Sequence, residues 1–470
     1  MKKIVLLSIY LLSTMSCSDF LVQEPVEAIS IKDQLSNKQG ILESLNGAYY
    51  QLRSNYFKEA VFTYGDLLSG NLKFLPRTSG AVTVATSVDG IYHFDDLKTS
   101  SDLESFYSDS YQIINNVNLI LQYADQLPDA TASEISEIKA EALSLRAFVH
   151  FQLYKYYAQN YTYTSDASHL GIAYNTAPLK VGIDYPVRKT SAETFALLEN
   201  DVAQAIAYFQ PNHAIPAGVK KNFMNATAAK TLAAEIALWK NDWQKAYDYS
   251  TDAINGSGLS LTSAGEVAGN WAFSESIFEI ANTSTNEFPA YAVYSYKSDA
   301  QRSNYVATDD LYNLYAASDN RRSLFETQNI KTNLTTGSSN LPYRFTKKYK
   351  GTTTSLIYRL SLLYFIRAEA ALHLGNSAQA LSDVNTIRNR AGLGSLSAIT
   401  LDVLLEEKRK EFPFENQYFF DLMRNHKNIV RNNGCISTNC SPTYPNNKFV
   451  IPIPQATINV NTGMQQNDGY

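Results

Sequence analysis

The chain has 470 residues, of which 45% are hydrophobic, 12% aromatic and 18% charged, with a formal net charge of −5. That apolar fraction excludes wholesale disorder, and the mild acidity excludes a duplex nucleic-acid partner, which needs a basic face against phosphates. The outlying feature is tyrosine: 32 residues, more than the 22 Phe and 3 Trp together. A tyrosine joins an apolar ring to a hydroxyl, so an excess suits either a core or a wet stacking surface.

Met1-Lys2-Lys3 opens the chain, followed by an apolar run from Ile4 to Leu12. That run is too short to span a bilayer and has the length of a signal-peptide core. Ser16 and Cys17 close the segment. Residues 1–16 read as an export leader, with Cys17 as the lipidated first residue of the mature chain. Cleavage there removes Lys2 and Lys3 and no acid, which moves the net charge from −5 to −7. Residues 17–38 read as a polar tether.

Helical periodicity begins near Lys38. Thr131-Ala132-Ser133-Glu134 is a capping-box pattern, and Ile135, Ile138, Ala142, Leu145, Val149 and Leu153 follow on one stripe. A further helix is expected from Ser191 to Phe209, before Pro211. Residues 225–254 read as two helices broken at Lys240-Asn241-Asp242. Residues 355–390 repeat the plan around Gly375-Asn376-Ser377. Small residues (Ala233, Ala237, Ala246; Ala368, Ala371, Ala380) let antiparallel helices approach, and these pairs resemble degenerate tetratricopeptide repeats. Residues 65–103, 160–190 and 256–350 are rich in Gly, Ser, Thr, Asn and Tyr and should be loops. Short strands are expected near Ile277–Ile280 and Ala290–Tyr296, and binding function belongs on such loops.

No catalytic motif emerges. The six histidines (93, 150, 169, 213, 373 and 426) form no H-E-x-x-H pair, and there is no G-x-S-x-G elbow or phosphate-cradling glycine loop. His150 and His373 read as ordinary helix residues. Cys435 and Cys440 lack zinc-ligand spacing but could close a small disulfide in an oxidising compartment. No catalytic residue, metal or cofactor is assigned.

The most specific text is Leu404-Leu405-Glu406-Glu407-Lys408-Arg409-Lys410-Glu411-Phe412-Pro413-Phe414-Glu415-Asn416, then Phe419-Phe420-Asp421-Leu422-Met423-Arg424. It resembles the signature of the SusD/RagB family of outer-membrane nutrient-binding lipoproteins. Asn416 stands where that family usually has glycine and Tyr418 where it has arginine; Asn tolerates a left-handed backbone better than most residues. Cys17-Ser18-Asp19-Phe20-Leu21, Glu141–Ala147, Ser276–Ile280, Asp319-Asn320-Arg321 and the closing Ile451-Pro452-Ile453-Pro454 resemble other family landmarks in matching order. Independently of any family, the alternating charges at 406–411 would normally be a solvated helix face, while the aromatic residues after them pin the segment to a core. The segment reads as structural.

The resemblance implies a mostly α, SusD-like fold over a single domain at 39–470, with tetratricopeptide-like helix pairs on one side and long irregular loops on the other. It implies a cell-surface lipoprotein of the outer membrane that binds a nutrient, an oligosaccharide in the first instance. That ligand would pass without catalysis to a SusC-like TonB-dependent transporter, for which the repeats would offer a docking surface. A lipid-anchored glycoside hydrolase and a scaffold without small ligand are the alternatives. Sugar recognition needs aromatic rings framed by polar side chains. The loop residues with those chemistries are Asn71, Lys73, Arg77 and Tyr92 in the first insertion, and Tyr291, Tyr294, Tyr296, Arg302 and Tyr305 in the third. Trp239 and Trp243 sit at repeat positions.

Overall fold

The computed structural model describes residues 30–470 except 57, 78, 210–219, 269–273, 282–292, 297, 299–302, 333–338 and 350–353. The leader, Cys17, most of the tether, Trp271, Tyr291 and Arg302 therefore lie outside the described residues. The helices longer than one turn and a half are α1 (Lys38–Tyr56), α2 (Glu59–Leu68), α3 (Glu104–Ala124), α4 (Ala132–Tyr157), α5 (Ser191–Tyr208), α6 (Ala226–Lys240), α7 (Trp243–Gly256), α8 (Leu360–His373), α9 (Ser377–Arg390), α10 (Leu401–Glu411), α11 (Tyr418–Arg424) and α12 (Gln455–Val460). Among the described residues six strands accompany them: β1 (Leu72–Phe74), β2 (Ser276–Ala281), β3 (Tyr305–Ala307), β4 (Phe325–Thr332), β5 (Ser339–Thr346) and β6 (Thr354–Arg359). The fold is mostly α, and one contiguous apolar core runs from Leu35 to Met464.

The local signals act as read. Thr131 and Glu134 form the capping box that starts α4, and Thr190 and Glu193 form a second one at α5. The break after α6 is Asn241 in the left-handed region (φ 62°), with Asp242 accepting from Lys245 N to start α7. Gly375 (φ 79°) and the Asn376 cap do the same between α8 and α9. Each helix packs on the next along α3, α4, α5, α6 and α7, and α7 then packs directly on α8. The insertion between α7 and α8 therefore loops out of a continuous helical stack.

Several expectations change. The apolar stripe of α4 is not its only buried face: nearly every residue from Glu137 to Tyr157 is buried. Several of its polar groups are consequently partnered inward, as where Arg146 holds Asp201 through Nε and Nη2 at 2.7 and 2.6 Å. Residues 354–359 form β6, paired with β2, so the helix of the last pair begins only at Leu360. The third insertion contains β3, β4 and β5, the last two of eight residues each. Pro342, which cannot donate to a ladder, and the polar composition of both strands conceal them. Of the strand expected at 290–296, the described part contains no strand residue.

The charges at 406–411 are largely buried. Arg359, 1% exposed, donates through Nη1 to Glu275 (2.6 Å) and Glu411 (2.7 Å) and through Nε to Glu415 (2.8 Å), while its guanidinium lies 3.9 Å from the Phe412 ring centroid. Glu411 also meets Arg321 and Arg390; Glu415 meets Lys348; Glu407 meets Arg388 and Lys410. Beside this web Arg424 forks onto Glu369, and Lys408 reaches Asp421 at 2.7 Å. Asn416 adopts φ 58° as its position demands; its amide donates to Val61 O (3.0 Å) and Tyr156 Oη (2.8 Å) and its oxygen accepts from Gly65 N. Tyr418 replaces the usual arginine with a ring that Arg409 covers at 4.5 Å.

Burial acts to raise the Glu411 carboxyl, but Arg390, Arg359 and Arg321 outweigh it and hold it far below the ordinary range. A depressed folded pKa contributes stability above the unfolded carboxylate range of about 4.3 and loses it as pH falls. Urea titrations of Glu411→Gln should show a loss of roughly 3–5 kcal/mol at pH 7, shrinking towards pH 3. Glu141 behaves oppositely: burial lifts its carboxyl to about 8, although the Tyr49 hydroxyl donates to it at 3.2 Å. Its contribution is fully present below about pH 4.3 and is lost as pH rises through 8. Replacing Glu141 with Gln should therefore flatten the decline of the unfolding midpoint between pH 5 and 8; an unchanged slope would refute that assignment.

Candidate functional site

The loop side is organised by an antiparallel sheet in the order β1-β3-β5-β4. Directly paired residues share a face and neighbours along a strand alternate. Lys73 pairs with Val306, Glu326 with Phe345, Gln328 with Tyr343 and Ile330 with Leu341. The other face carries Phe74 and Tyr305 and belongs to the main core. The outer face has a small apolar cluster of its own, Leu75, Val306, Ile330 and Phe345, against which the half-buried Tyr296 and Tyr343 pack. Tyr296 lies 5.2 Å from Phe345, and the Lys73 ammonium sits 6.0 Å from the Tyr343 centroid. Two amphipathic rings over a thin apolar layer, framed by Lys73, Glu326 and Gln328, make a surface of the kind a sugar requires.

At one end of the sheet a helical turn, Asp309–Tyr312, supplies a charged corner. Asp309 accepts from Lys73 Nζ (3.0 Å) and pairs with Arg344. Partial burial favours its neutral form, but those two cations prevail and lower its pKa. The Arg344 and Arg322 guanidiniums lie 4.1 and 4.7 Å from the Tyr312 centroid, and Arg322 Nε donates to the Tyr312 hydroxyl at 3.1 Å. That bond, with the two charges, pulls the phenol below its usual pKa.

The wall behind Lys73 is the loop closed by the Cys435–Cys440 disulfide. Asn433 Oδ1 accepts from Lys73 Nζ (3.2 Å), and Gly434 (φ 75°) lies flat against the lysine stem, where any Cβ would stand 2.7 Å from Lys73 Cδ. Ile436 N donates to the Tyr92 hydroxyl (2.9 Å), and Ser437 bonds the His93 ring at 3.1 Å. Arg431 donates to the carbonyls of Tyr92 and Asn439 and lies over the Tyr92 and Phe94 rings. Desolvation lowers its guanidinium to about 10.

Against this geometry stand the comparisons with known proteins. Residues 268–470 match the model of the SusD family, and residues 77–238 match a model described as starch-binding associating with outer membrane. The chain belongs to the SusD/RagB family. It is 23% identical to SusD-like protein P2 of Formosa agariphila, with the whole of both chains covered. It is 32% identical over 120 residues to the starch-binding protein SusD of Bacteroides thetaiotaomicron, covering 24% of this chain and 21% of that one. A SusD superfamily protein of Bacteroides vulgatus shares the fold with a TM-score of 0.81 and 24% identity, over 92% of this chain and 99% of that chain.

Within this SusD/RagB chain the residues selected from sequence divide sharply. Asn71, Tyr92, Tyr294 and Tyr305 are buried and present no ring or amide to a ligand. Asn71 bonds Asp66 (2.8 Å) and accepts from Arg409 (2.7 Å); the Tyr294 hydroxyl donates to Phe62 O and that of Tyr305 to Glu59. They are corrected to core residues, because polar flanking sequence does not reveal that their rings face inward. Lys73 and Tyr296 lie on the outer sheet face. Arg77 is exposed beyond the end of β1, its Nε donating to Thr83 at 2.7 Å. Tyr343, Gln328, Asp309 and Asn433 escaped the sequence reading. A period-two alternation in Leu341, Tyr343 and Phe345 was the available signal, masked by Pro342.

Cys435→Ser combined with Cys440→Ser should cost about 2 kcal/mol, the loop-closure entropy of so short a ring. Hydrogen exchange should quicken at Ile436, whose amide the closed loop holds on Tyr92, while α4 stays protected. Equal exchange in both proteins would show that the loop holds its shape unaided.

Proposed function

We propose that the protein is a lipid-anchored binding protein on the outer-membrane surface, with Cys17 as the lipidated residue. It captures an oligosaccharide on the outer face of the β1-β3-β5-β4 sheet and delivers it, without catalysis, to a SusC-like TonB-dependent transporter. The observation that carries this reading is the pair Tyr296 and Tyr343, half-buried over Leu75, Val306, Ile330 and Phe345 and framed by polar side chains. Family membership supports it, as do the match to a starch-binding, outer-membrane-associating model and the partial likeness to a starch-binding protein. Sugar sites of this shape are shallow, so each ring contributes modestly and several groups share the affinity.

A glycan panel with a matched turnover control tests the reading. Binding without product release is expected for at least one oligosaccharide. Tyr343→Ala and Tyr296→Ala should each weaken it about five- to tenfold, equivalent to ~1 kcal/mol per ring, with melting temperature little changed. Product release on the panel would overturn the binding-only assignment, and affinity unaffected by both variants would move the site elsewhere.

A further inference from the structure

The tail segment also builds a groove outside the sheet. Asp402, Leu405, Glu406 and Arg409 follow one another on α10 at three- and four-residue steps, which sets them on one face of that helix. Tyr418 and Leu422 meet them from α11, Lys427 and Asn428 from the turn after it, and Leu314 from just beyond the Asp309–Tyr312 turn. Together they line an open groove of about 300 Å³, the lower end of the size that small-molecule sites occupy. It adjoins the sheet without using its residues: Arg409 Nε donates to Asn71 Oδ1 at 2.7 Å, just before β1.

Hydrogen-bonding groups dominate its free chemistry. Arg409 lies over the Tyr418 ring at 4.5 Å and spends only Nε, so both terminal amino groups of a braced, planar fork remain for a ligand. The Tyr418 hydroxyl and Asn428 Nδ2 have no partner among the described residues, while Asn428 Oδ1 is taken by Tyr444 N at 2.9 Å. On the acceptor side, Asp402 keeps one carboxylate oxygen after Lys427 takes the other at 2.7 Å. Glu406, its side chain 56% exposed, meets Lys410 only at 3.6 Å. The charged lining residues are thus Arg409 and Lys427 against Asp402 and Glu406, and the groove is formally neutral. The next charges on the same two helices are buried pairs of their own, Lys408 with Asp421 and Lys410 with Glu407.

Those features select the ligand class. An anion would meet a carboxylate for every cation. An apolar or peptide side chain would find little to cover, since Leu405 and Leu422 are only 5% and 7% exposed. A sugar ring carries adjacent hydroxyls that both donate and accept, and it needs mixed donors and acceptors around a small apolar floor. We propose that this groove is a second saccharide site that takes a neutral pyranose, with the Arg409 fork on adjacent hydroxyls and the Asp402 and Glu406 carboxylates accepting from others. Tyr418, which stands where the family usually has arginine, is the ring that braces the fork. The proposal goes beyond the sheet reading and needs none of its residues.

The test is methyl-resolved NMR of the full mature chain carrying Cys17→Ala, titrated with the methyl glycosides of glucose, galactose and mannose into the tens of millimolar. Leu314, Leu405 and Leu422 report the groove, and Ile330 and Leu341 report the sheet. At least one glycoside should shift the groove leucines with a millimolar dissociation constant, as a shallow single-ring site implies. Arg409→Lys, which keeps the charge and loses the fork, should weaken that binding about tenfold, and Asp402→Ala with Glu406→Ala should do the same. Both carboxylates are exposed, and the pair between Asp402 and Lys427 is a surface one, so melting temperature should hardly move in the double variant. Tyr343→Ala should leave the groove shifts intact, which separates failure here from failure of the sheet reading. Groove leucines silent to all three glycosides, or shifts indifferent to both the fork and the rim variants, overturn the proposal. Stronger shifts with sodium glucuronate than with the glucoside overturn it in favour of an anion site.

Discussion

Everything in this structure hangs from a buried web of ion pairs centred on Arg359 and Glu411. Burying one such charge alone costs many kcal/mol, so each is tolerated only because several partners of opposite sign are held at hydrogen-bond distance. The partners come from distant parts of the chain: Glu275 from the start of β2, Arg321 after the Asp309–Tyr312 turn, Lys348 after β5, Arg359 at the end of β6, Arg390 from α9, and Glu411 and Glu415 around the end of α10. Helix stack, sheet and tail can satisfy these charges only in one mutual arrangement. A hydrophobic cluster would tolerate slippage; a fork of guanidinium on carboxylate does not.

Two further arginines extend the principle without carboxylates. Arg188 donates to the carbonyls of Gly171, Tyr157 and Leu170 and to Asn467, tying the second insertion and the C-terminal segment to the end of α4. Arg431 does the same for the disulfide loop. Desolvation lowers both guanidiniums to about 10, yet each remains charged at neutral pH and keeps its donors directed at backbone oxygen. Irregular segments, which lack ladders of their own, are fixed in this way to the helices. That is how long insertions can present a defined surface.

The helical half was legible because its signals are local. The capping box at Thr131, the Asn241 and Gly375 breaks, and small residues at helix crossings act within one or two turns of chain. The tail signature was legible as structural, although nothing local says that Glu407, Lys408, Lys410 and Glu411 are buried, since their counter-charges lie elsewhere in sequence. The sheet was largely illegible. Its strands pair across insertions, β5 carries a proline, and β4 is polar except for Phe325 and Ile330, in a stretch that composition assigns to loop. Tyr296 and Lys73 were selected by chemistry and location and lie on the outer sheet face, whereas Tyr92, Tyr294 and Tyr305 have the same chemistry and location and are buried. Strand register separates Lys73 from Tyr305, while Tyr92, Tyr294 and Tyr296 lie outside the strands and are sorted only by tertiary packing.

Tertiary packing also resolves the surplus of tyrosine. Tyr154, Tyr156 and Tyr157 close α4 in the core, and each hydroxyl reaches a backbone oxygen: Gln159 O, Val61 O and Leu103 O. Tyrosine serves there because each hydroxyl adds a donor to a core carbonyl, a hydrogen bond that a phenylalanine of the same shape would forgo. Tyr296 and Tyr343 use the same side chain in reverse, with ring bodies on apolar neighbours at the rim of a thin layer. A core built from hydroxylated rings and guanidinium forks is rigid and directional. A sheet only a few strands wide can then present the shallow face proposed to bind ligand, because its other side is held by that core.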